Sequence, residues 1–219
     1  MWRRICRCRY FEIEAAKAHD AGLIKCPIYL SIGQESIPAA LSMICNDFSI
    51  FAQHRAHSYY LAFGGDPAAL IDELLGRETG CARGMGGSAS IQCQQISMFG
   101  HSGLMGDQAP IGVGYALATG KPTLCVMGDA SAEEDYVLAA MGVAATKQLP
   151  VLFVCEDNGL SILTKTEVRR SWSLAKAASG VNVTAWDILD DPWIIIGQET
   201  VKLLPALLNI HTCRHRWHA

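Results

Sequence analysis

Two apolar runs constrain this chain more than anything else in it: "PTLCVMGD" at residues 122–129 and "PVLFVCEDNG" at 150–159. Neither alternates apolar with polar residues, so a strand formed by either must be covered on both faces. Between them lies "SAEEDYVLAAMGVAATKQ", which has helical spacing. Strand, helix and strand joined by short connections make a βαβ unit, with parallel strands and a right-handed crossover. The sequence therefore predicts an α/β fold, a parallel sheet with helices on both faces. A chain of 219 residues suits one domain spanning 1–219, large enough to bury most of its surface.

Charge and composition exclude some classes. A formal net charge of −3 argues against nucleic acid as the main partner. No apolar run is long enough to cross a bilayer; "PVLFVC" and "WIII" have the length of strands. The N-terminal "MWRRICRCRYFEIEAAKAH" is basic but has no apolar h-region, and predicts an amphipathic helix rather than a secretory signal. Nine scattered cysteines without a C-x-x-C pair fit reduced thiols used as small hydrophobes, hence a cytoplasmic protein. Cys6 and Cys8 alone make a weak metal site.

Along the chain, residues 3–23 have a helical pattern that Gly22 ends. In "SIGQESIPAALSMI" a loop over 31–34 leads into a helix. "DPAALIDELLGR" carries a helix start, with Asp66 as N-cap and Pro67 at the first position. The Gly-rich stretch "GCARGMGGSASIQCQQISMFGHSGLMGDQ" has no strong period, and a loop of that length in a compact domain is usually functional or disordered. "PIGVGYALAT" predicts a helix of small residues suited to close packing.

Parallel strands end on one edge of the sheet, where open α/β folds bind ligands. The first run ends at Gly128-Asp129 and the second at Glu156-Asp157-Asn158-Gly159. Side-chain oxygens of Asp129 and Asn158 can converge there. One carboxylate and one amide oxygen suit Mg²⁺ or Ca²⁺ whose other positions are filled by water and phosphate. A crossover helix starting near Ser131 would turn its amide N–H groups toward the same spot and favour an anion. Glu133, Glu134 and Asp135 would fall in its first turn as solvated charges. The structural alternative is that Asp129 caps a helix and Asn158-Gly159 is a turn.

Gly128-Asp129, followed after Ala130 by about 26 residues and then Asp157-Asn158, resembles the thiamine diphosphate motif, G-D-G with a later N-N pair. "LPVLFVCEDNGLSI" is similar to the alpha subunit of the E1 component of 2-oxo acid dehydrogenases of the pyruvate, branched-chain and acetoin type. The resemblance runs from about residue 9 to the end. It implies that Asp129 and Asn158, with the backbone carbonyl of Leu160, hold Mg²⁺. It places the backbone of Ala130 and Ser131 against the diphosphate, and makes Ile162 the apolar wedge that bends the cofactor. "AQHRAHS" resembles the family's Y-R-x-H segment, which gives Arg55 a diphosphate oxygen, puts His54 where Tyr usually stands, and makes His57 a catalytic histidine. "GHSGLMGDQAPIGVGYALA" resembles G-G-N-G-I-V-G-x-Q-x-P, giving Gly103 and Met105 backbone contacts to the aminopyrimidine. "RGMGGSAS" resembles G-x-G-G-S-M-H with Ser90 for the histidine. "TCRHRWHA" resembles T-Y-R-Y-x-x-H-S, which makes Arg214 cofactor-binding and His218 catalytic, with Ala219 in place of a serine.

The same resemblance implies a thiamine diphosphate- and Mg²⁺-dependent dehydrogenase or decarboxylase of a 2-oxo acid substrate. A beta-type subunit would supply the pyrimidine half of the site in an α₂β₂ assembly, and a lipoyl-bearing acyltransferase is a further partner. This chain would be the diphosphate-binding domain, lacking a C-terminal part that relatives have. Two departures stand out. Ala130 in place of Gly requires φ < 0, and Asp157 in place of Asn adds negative charge near a diphosphate. Two rival readings stay open: a non-catalytic structural or regulatory subunit that keeps fold and interface, and an α/β protein that binds another phosphate ligand.

Overall fold

A computed structural model describes residues 1–216. Its first elements are helix α1 (Trp2–Asp20), helix α2 (Ser36–Ile44), strand β1 (Ser49–Phe51), and helices α3 (His57–Ala62) and α4 (Pro67–Leu74). After the Gly-rich stretch come β2 (Met98–Phe99), α5 (Gln108–Thr119), β3 (Thr123–Gly128), α6 (Asp135–Lys147) and β4 (Val151–Asp157). A small hairpin, β5 (Leu160–Ser161) with β6 (Thr164–Lys165), leads into the single turn α7 (Thr166–Arg169). The remainder is α8 (Leu174–Gly180), β7 (Thr184–Leu189), α9 (Pro192–Gly197) and β8 (Ala206–His211).

Six strands form a parallel sheet in the order β2-β1-β3-β4-β8-β7. The uninterrupted apolar runs explain why β3 and β4 are central. Alternate residues point to opposite faces. Leu124, Val126, Leu152 and Val154 join Ile37, Leu41, Tyr59 and Tyr60 in one core layer under α2 and α3. Cys125, Met127, Phe153 and Cys155 join Val113, Met141 and Leu174 in the other, under α5, α6 and α8. Each fully buried Leu, Phe or Met contributes roughly 1.5–3 kcal/mol, so both faces of the two runs stabilise the fold. Close packing of α5 follows from Gly112, where a Cβ would collide with Cys125 Sγ. Five of the nine free thiols, those of Cys8, Cys45, Cys93, Cys125 and Cys155, are buried as small hydrophobes.

Helix starts obey their sequence signals. Asp66 accepts from the Ala68 N–H, with Pro67 at the first helical position. Two expectations need correction. "WIII" is not a strand: Asp191 accepts from Trp193 N and Ile194 N, Pro192 sits at the first position, and the four residues lie within α9. Nor does the crossover helix begin at Ser131. Residues Ser131–Glu133 make a 3-10 turn, Glu134 is extended at φ −66° and ψ 137°, and α6 starts at Asp135. No helix among the described residues is long and apolar enough to cross a membrane.

Candidate functional site

Because every strand of the sheet runs the same way, the loops after β1, β3, β4 and β8 meet at one edge. Gly128 lies opposite Glu156 in register, so Asp129 leaves the sheet beside Asp157 and Asn158. A cavity of about 200 Å³ opens at this edge. Gln53, His54 and Arg55 line it from the loop after β1, and Asp129, Ala130 and Ser131 from the loop after β3. Asn158, Leu160 and Ile162 line it after β4, Arg214 after β8, and Met105 from the Gly-rich stretch. Ten of the residues singled out in the sequence for cofactor or metal thus share one cavity, although they are up to 160 positions apart in the chain (54 to 214).

Two expected residues lie outside the lining. Gly103, at φ +98°, is exposed and outside the lining; its N–H donates to His101 Nδ1 at 3.0 Å. His57 is fully buried on α3, away from the cavity, which corrects its reading as a catalytic group that meets substrate. Its Nδ1 lies 3.0 Å from Glu12 Oε2 and its Nε2 lies 2.9 Å from Ser88 Oγ. The sequence pattern fixed its place on the helix but not which way the ring turned. His218 lies outside the described residues.

Electrostatics give the cavity its character. Arg55 donates to the Leu30 carbonyl at 2.7 Å and is buried. Burial and then the neighbouring guanidinium of Arg214 push its pKa down to about 10, so it stays charged at neutral pH; burial lowers the pKa of Arg214 as well. Arg214 donates to the Ile162 carbonyl at 2.6 Å. Two neighbouring guanidiniums at one cavity are suited to a multiply charged anion, and a diphosphate has the forked oxygens they prefer. Ala130 adopts φ −71°, so the residue in the glycine position carries its Cβ without strain. Ile162 adopts φ +52°, a left-handed conformation that a β-branched residue rarely takes, and stands exposed at the rim.

The cation set is sparse. Asp129 is almost fully buried, and its Oδ2 accepts from Thr166 Oγ1 at 2.8 Å and Arg169 Nη2 at 2.6 Å. Its Oδ1 takes no hydrogen bond among the described residues. Asn158 Oδ1 accepts from Leu160 N at 3.2 Å. Among the described residues no three His, Cys, Asp or Glu side chains gather as a metal cage. These donors fit a hard cation such as Mg²⁺ that keeps water and takes phosphate oxygens as its other ligands.

The solvated-face expectation for the acidic run is half right. Glu134 and Asp135 carry no salt bridge among the described residues, but Glu133 pairs with Arg169 at 3.1 Å and with Arg170 at 3.7 Å. Arg170 also reaches Asp157 Oδ2 at 3.5 Å, so the extra carboxylate there is offset in part by a cation of the protein.

Several site residues escaped the sequence. Gln53 ties two loops together: its Oε1 accepts from Gly128 N at 2.6 Å and its Nε2 donates to Ser131 Oγ at 2.6 Å. Glu156, on the cavity floor, accepts from Tyr59 OH at 3.0 Å and Gln34 Nε2 at 3.2 Å, and burial raises its pKa to about 7. The signal for Glu156 was present, a carboxylate inside an otherwise apolar strand. Gln53 and Arg169 gave none.

A parallel sheet with a cavity at its carboxyl edge, lined by two arginines and an Asp–Asn pair, defines the class: an α/β domain of the thiamine diphosphate-binding fold. Solved structures share that fold. Transketolase mutant R525L from Pichia stipitis superposes with a TM-score of 0.68 at 17% identity, over 96% of this chain and 36% of that one. A putative thiamin diphosphate-dependent enzyme from Mycobacterium smegmatis superposes at 0.55 and 17% identity, over 84% and 32%.

Residues 4–188 match the model of the family described as the dehydrogenase E1 component, and the chain belongs to that family. It is similar to pyruvate dehydrogenase E1 component subunit alpha of Zymomonas mobilis, with 31% identity over 100% of this chain and 66% of the relative. The mitochondrial alpha subunit of Dictyostelium discoideum is 32% identical over 83% and 50%. The chain spans between half and about two thirds of the length of these curated relatives.

Proposed function

We propose that this chain is the alpha-type subunit of a thiamine diphosphate- and Mg²⁺-dependent 2-oxo acid dehydrogenase or decarboxylase, acting with a beta-type subunit in an α₂β₂ assembly. The observation that carries the reading is the meeting of Arg55 and Arg214 with Asp129 and Asn158 around one cavity. When bound, the cofactor supplies the electron sink needed for loss of CO₂ from a 2-oxo acid.

Residues of this chain bind and orient it. Arg55 and Arg214 hold diphosphate oxygens by charge-assisted hydrogen bonds, and the loop from Asp129 to Ser131, fixed by Gln53, meets the same group. Asp129, Asn158 and the Leu160 carbonyl would hold the cation. Ile162 and Met105, which line the same cavity, would meet the thiamine moiety. A histidine at position 218 would serve as an acid–base group near substrate. The scattered free thiols support a reducing compartment, and we place the protein in the cytoplasm.

The test mixes the full chain with a beta-type partner, thiamine diphosphate and Mg²⁺, and follows binding by calorimetry and CO₂ release from 2-oxo acids. Binding lost in Asp129→Ala, with turnover lost in His218→Ala, is the expected result. Absence of binding, or equal binding by Asp129→Ala, overturns the proposal.

A further inference from the structure

The carboxylate read as the cation's ligand already has a cation on it. Arg169 Nη2 donates to Asp129 Oδ2 at 2.6 Å, and both side chains are well buried. The same guanidinium grips Glu133, with Nε at 3.2 Å from both carboxylate oxygens and Nη2 at 3.1 Å from Oε1. Its Nη1 donates to the Thr164 carbonyl at 2.7 Å. Thr166, one helical turn earlier in α7, adds its hydroxyl to Asp129 Oδ2. Arg169 is therefore shared between two carboxylates, one that faces the cavity and one that does not line it.

We propose that Arg169 is an internal counter-cation, which neutralises Asp129 in the metal-free protein and is displaced onto Glu133 when a divalent cation binds. This rests on the cation reading of Asp129 given above. A divalent ion at Asp129 would sit within a few ångströms of the guanidinium, and like charges that close repel strongly in a buried setting. Retreat is cheap, because the fork toward Glu133 is already formed and only the Nη2 contacts to Asp129 and to Thr166 Oγ1 are given up. Arg170 stays as an anchor through the transfer, held by Asp157 at 3.5 Å and lying 5.0 Å from the centre of the Trp172 ring.

Mn²⁺, titrated into the full chain with its beta-type partner and thiamine diphosphate and followed by the loss of the free-ion electron paramagnetic resonance spectrum, tests this without turnover. Arg169→Gln removes the competitor and should tighten Mn²⁺ about tenfold, the value of one charge-assisted hydrogen bond to a buried carboxylate. Glu133→Gln removes the carboxylate that receives the guanidinium and should weaken Mn²⁺ severalfold. The second variant decides the matter if the first does not fold. Opposite shifts support the proposal, since general loosening of the site would weaken both. Unchanged or weakened Mn²⁺ binding in Arg169→Gln, or no weakening in Glu133→Gln, overturns it while leaving the site reading in place. A parent assembly that leaves the free Mn²⁺ spectrum undiminished removes the site reading itself, and the proposal with it.

Discussion

His57 and Glu12 form a closed pair, Nδ1 to Oε2 at 3.0 Å, with neither side chain reaching solvent. Glu12 also accepts from Ser31 N at 2.9 Å and from Ser31 Oγ at 2.5 Å, and Ser88 holds the far nitrogen of His57. Burial pushes the Glu12 carboxyl up, but His57 and Ser31 outweigh it and leave its pKa lowered. His57→Ala strands that carboxylate, and removing one partner of a buried pair costs about 3–5 kcal/mol. Urea unfolding of the isolated chain should show a loss of this size. Unchanged stability together with lost turnover would return His57 to the catalytic set.

Gln53 holds the loop after β3 to the loop after β1, so it acts on cofactor binding through geometry. Gln53→Ala leaves the Gly128 N–H without its partner, at roughly 1–3 kcal/mol. Thiamine diphosphate affinity should fall about tenfold, because the backbone at Ala130 and Ser131 is no longer fixed. Gln53→Glu keeps the acceptor for Gly128 but loses the donor and adds charge. Calorimetry should rank it below Gln53→Ala for the diphosphate and equal to it for free thiamine; the reverse order would contradict this placement.

Glu156 is buried beside Tyr59 and Gln34, and burial raises its pKa from 4.5 to about 7. Between those values the folded state binds the proton and the unfolded state does not. Stability is therefore highest below pH 4.5 as far as this group is concerned, and falls as pH rises to about 7. The span corresponds to roughly 3 kcal/mol. Glu156→Gln should remove this slope and stabilise the chain at pH 8, since the introduced amide can still accept from Tyr59. It can also donate to Gln34 Oε1, which has no partner among the described residues, once the Gln34 amide turns over. Melting temperatures of both proteins from pH 5 to 8 check this; parallel curves would refute it.

The legible part of the fold was the part with long-range regularity. β3, α6 and β4 announce themselves through continuous apolar runs and a helical period, and the edge that gathers Asp129 and Asn158 follows from parallel strands alone. β1 and β2 have three and two residues, too few for any period to register. β7 and β8 follow segments whose local signals are weak, and "WIII" was ambiguous because four apolar residues suit a strand or a helix turn equally. In the site, residues that bind through their own chemistry were readable from residue type and neighbours. Those that bind each other were not: Arg169 on Asp129 and Gln53 on Gly128 are pairings 40 and 75 positions apart, created by the fold.

Ile162 carries a conformational cost that its neighbours do not. At φ +52° an L-residue meets steric strain of about 1–2 kcal/mol, and branching at Cβ worsens it. Its side chain is 58% exposed, so packing within this chain does not repay the strain. A cofactor bent over it would. Ile162→Gly suits the backbone and should raise the stability of the isolated chain by about 1 kcal/mol despite the entropy a glycine adds to the unfolded state. If Ile162 is the proposed apolar wedge, the glycine variant would deny the thiamine rings that surface. With the beta-type partner present, kcat should fall by about 100-fold or more while the diphosphate dissociation constant stays within threefold, since Arg55 and Arg214 are untouched. Ile162→Leu keeps apolar volume without branching at Cβ and should retain most turnover. Measured kcat and cofactor affinity for the three proteins separate a wedge from a strained surface loop, for which all three would turn over alike.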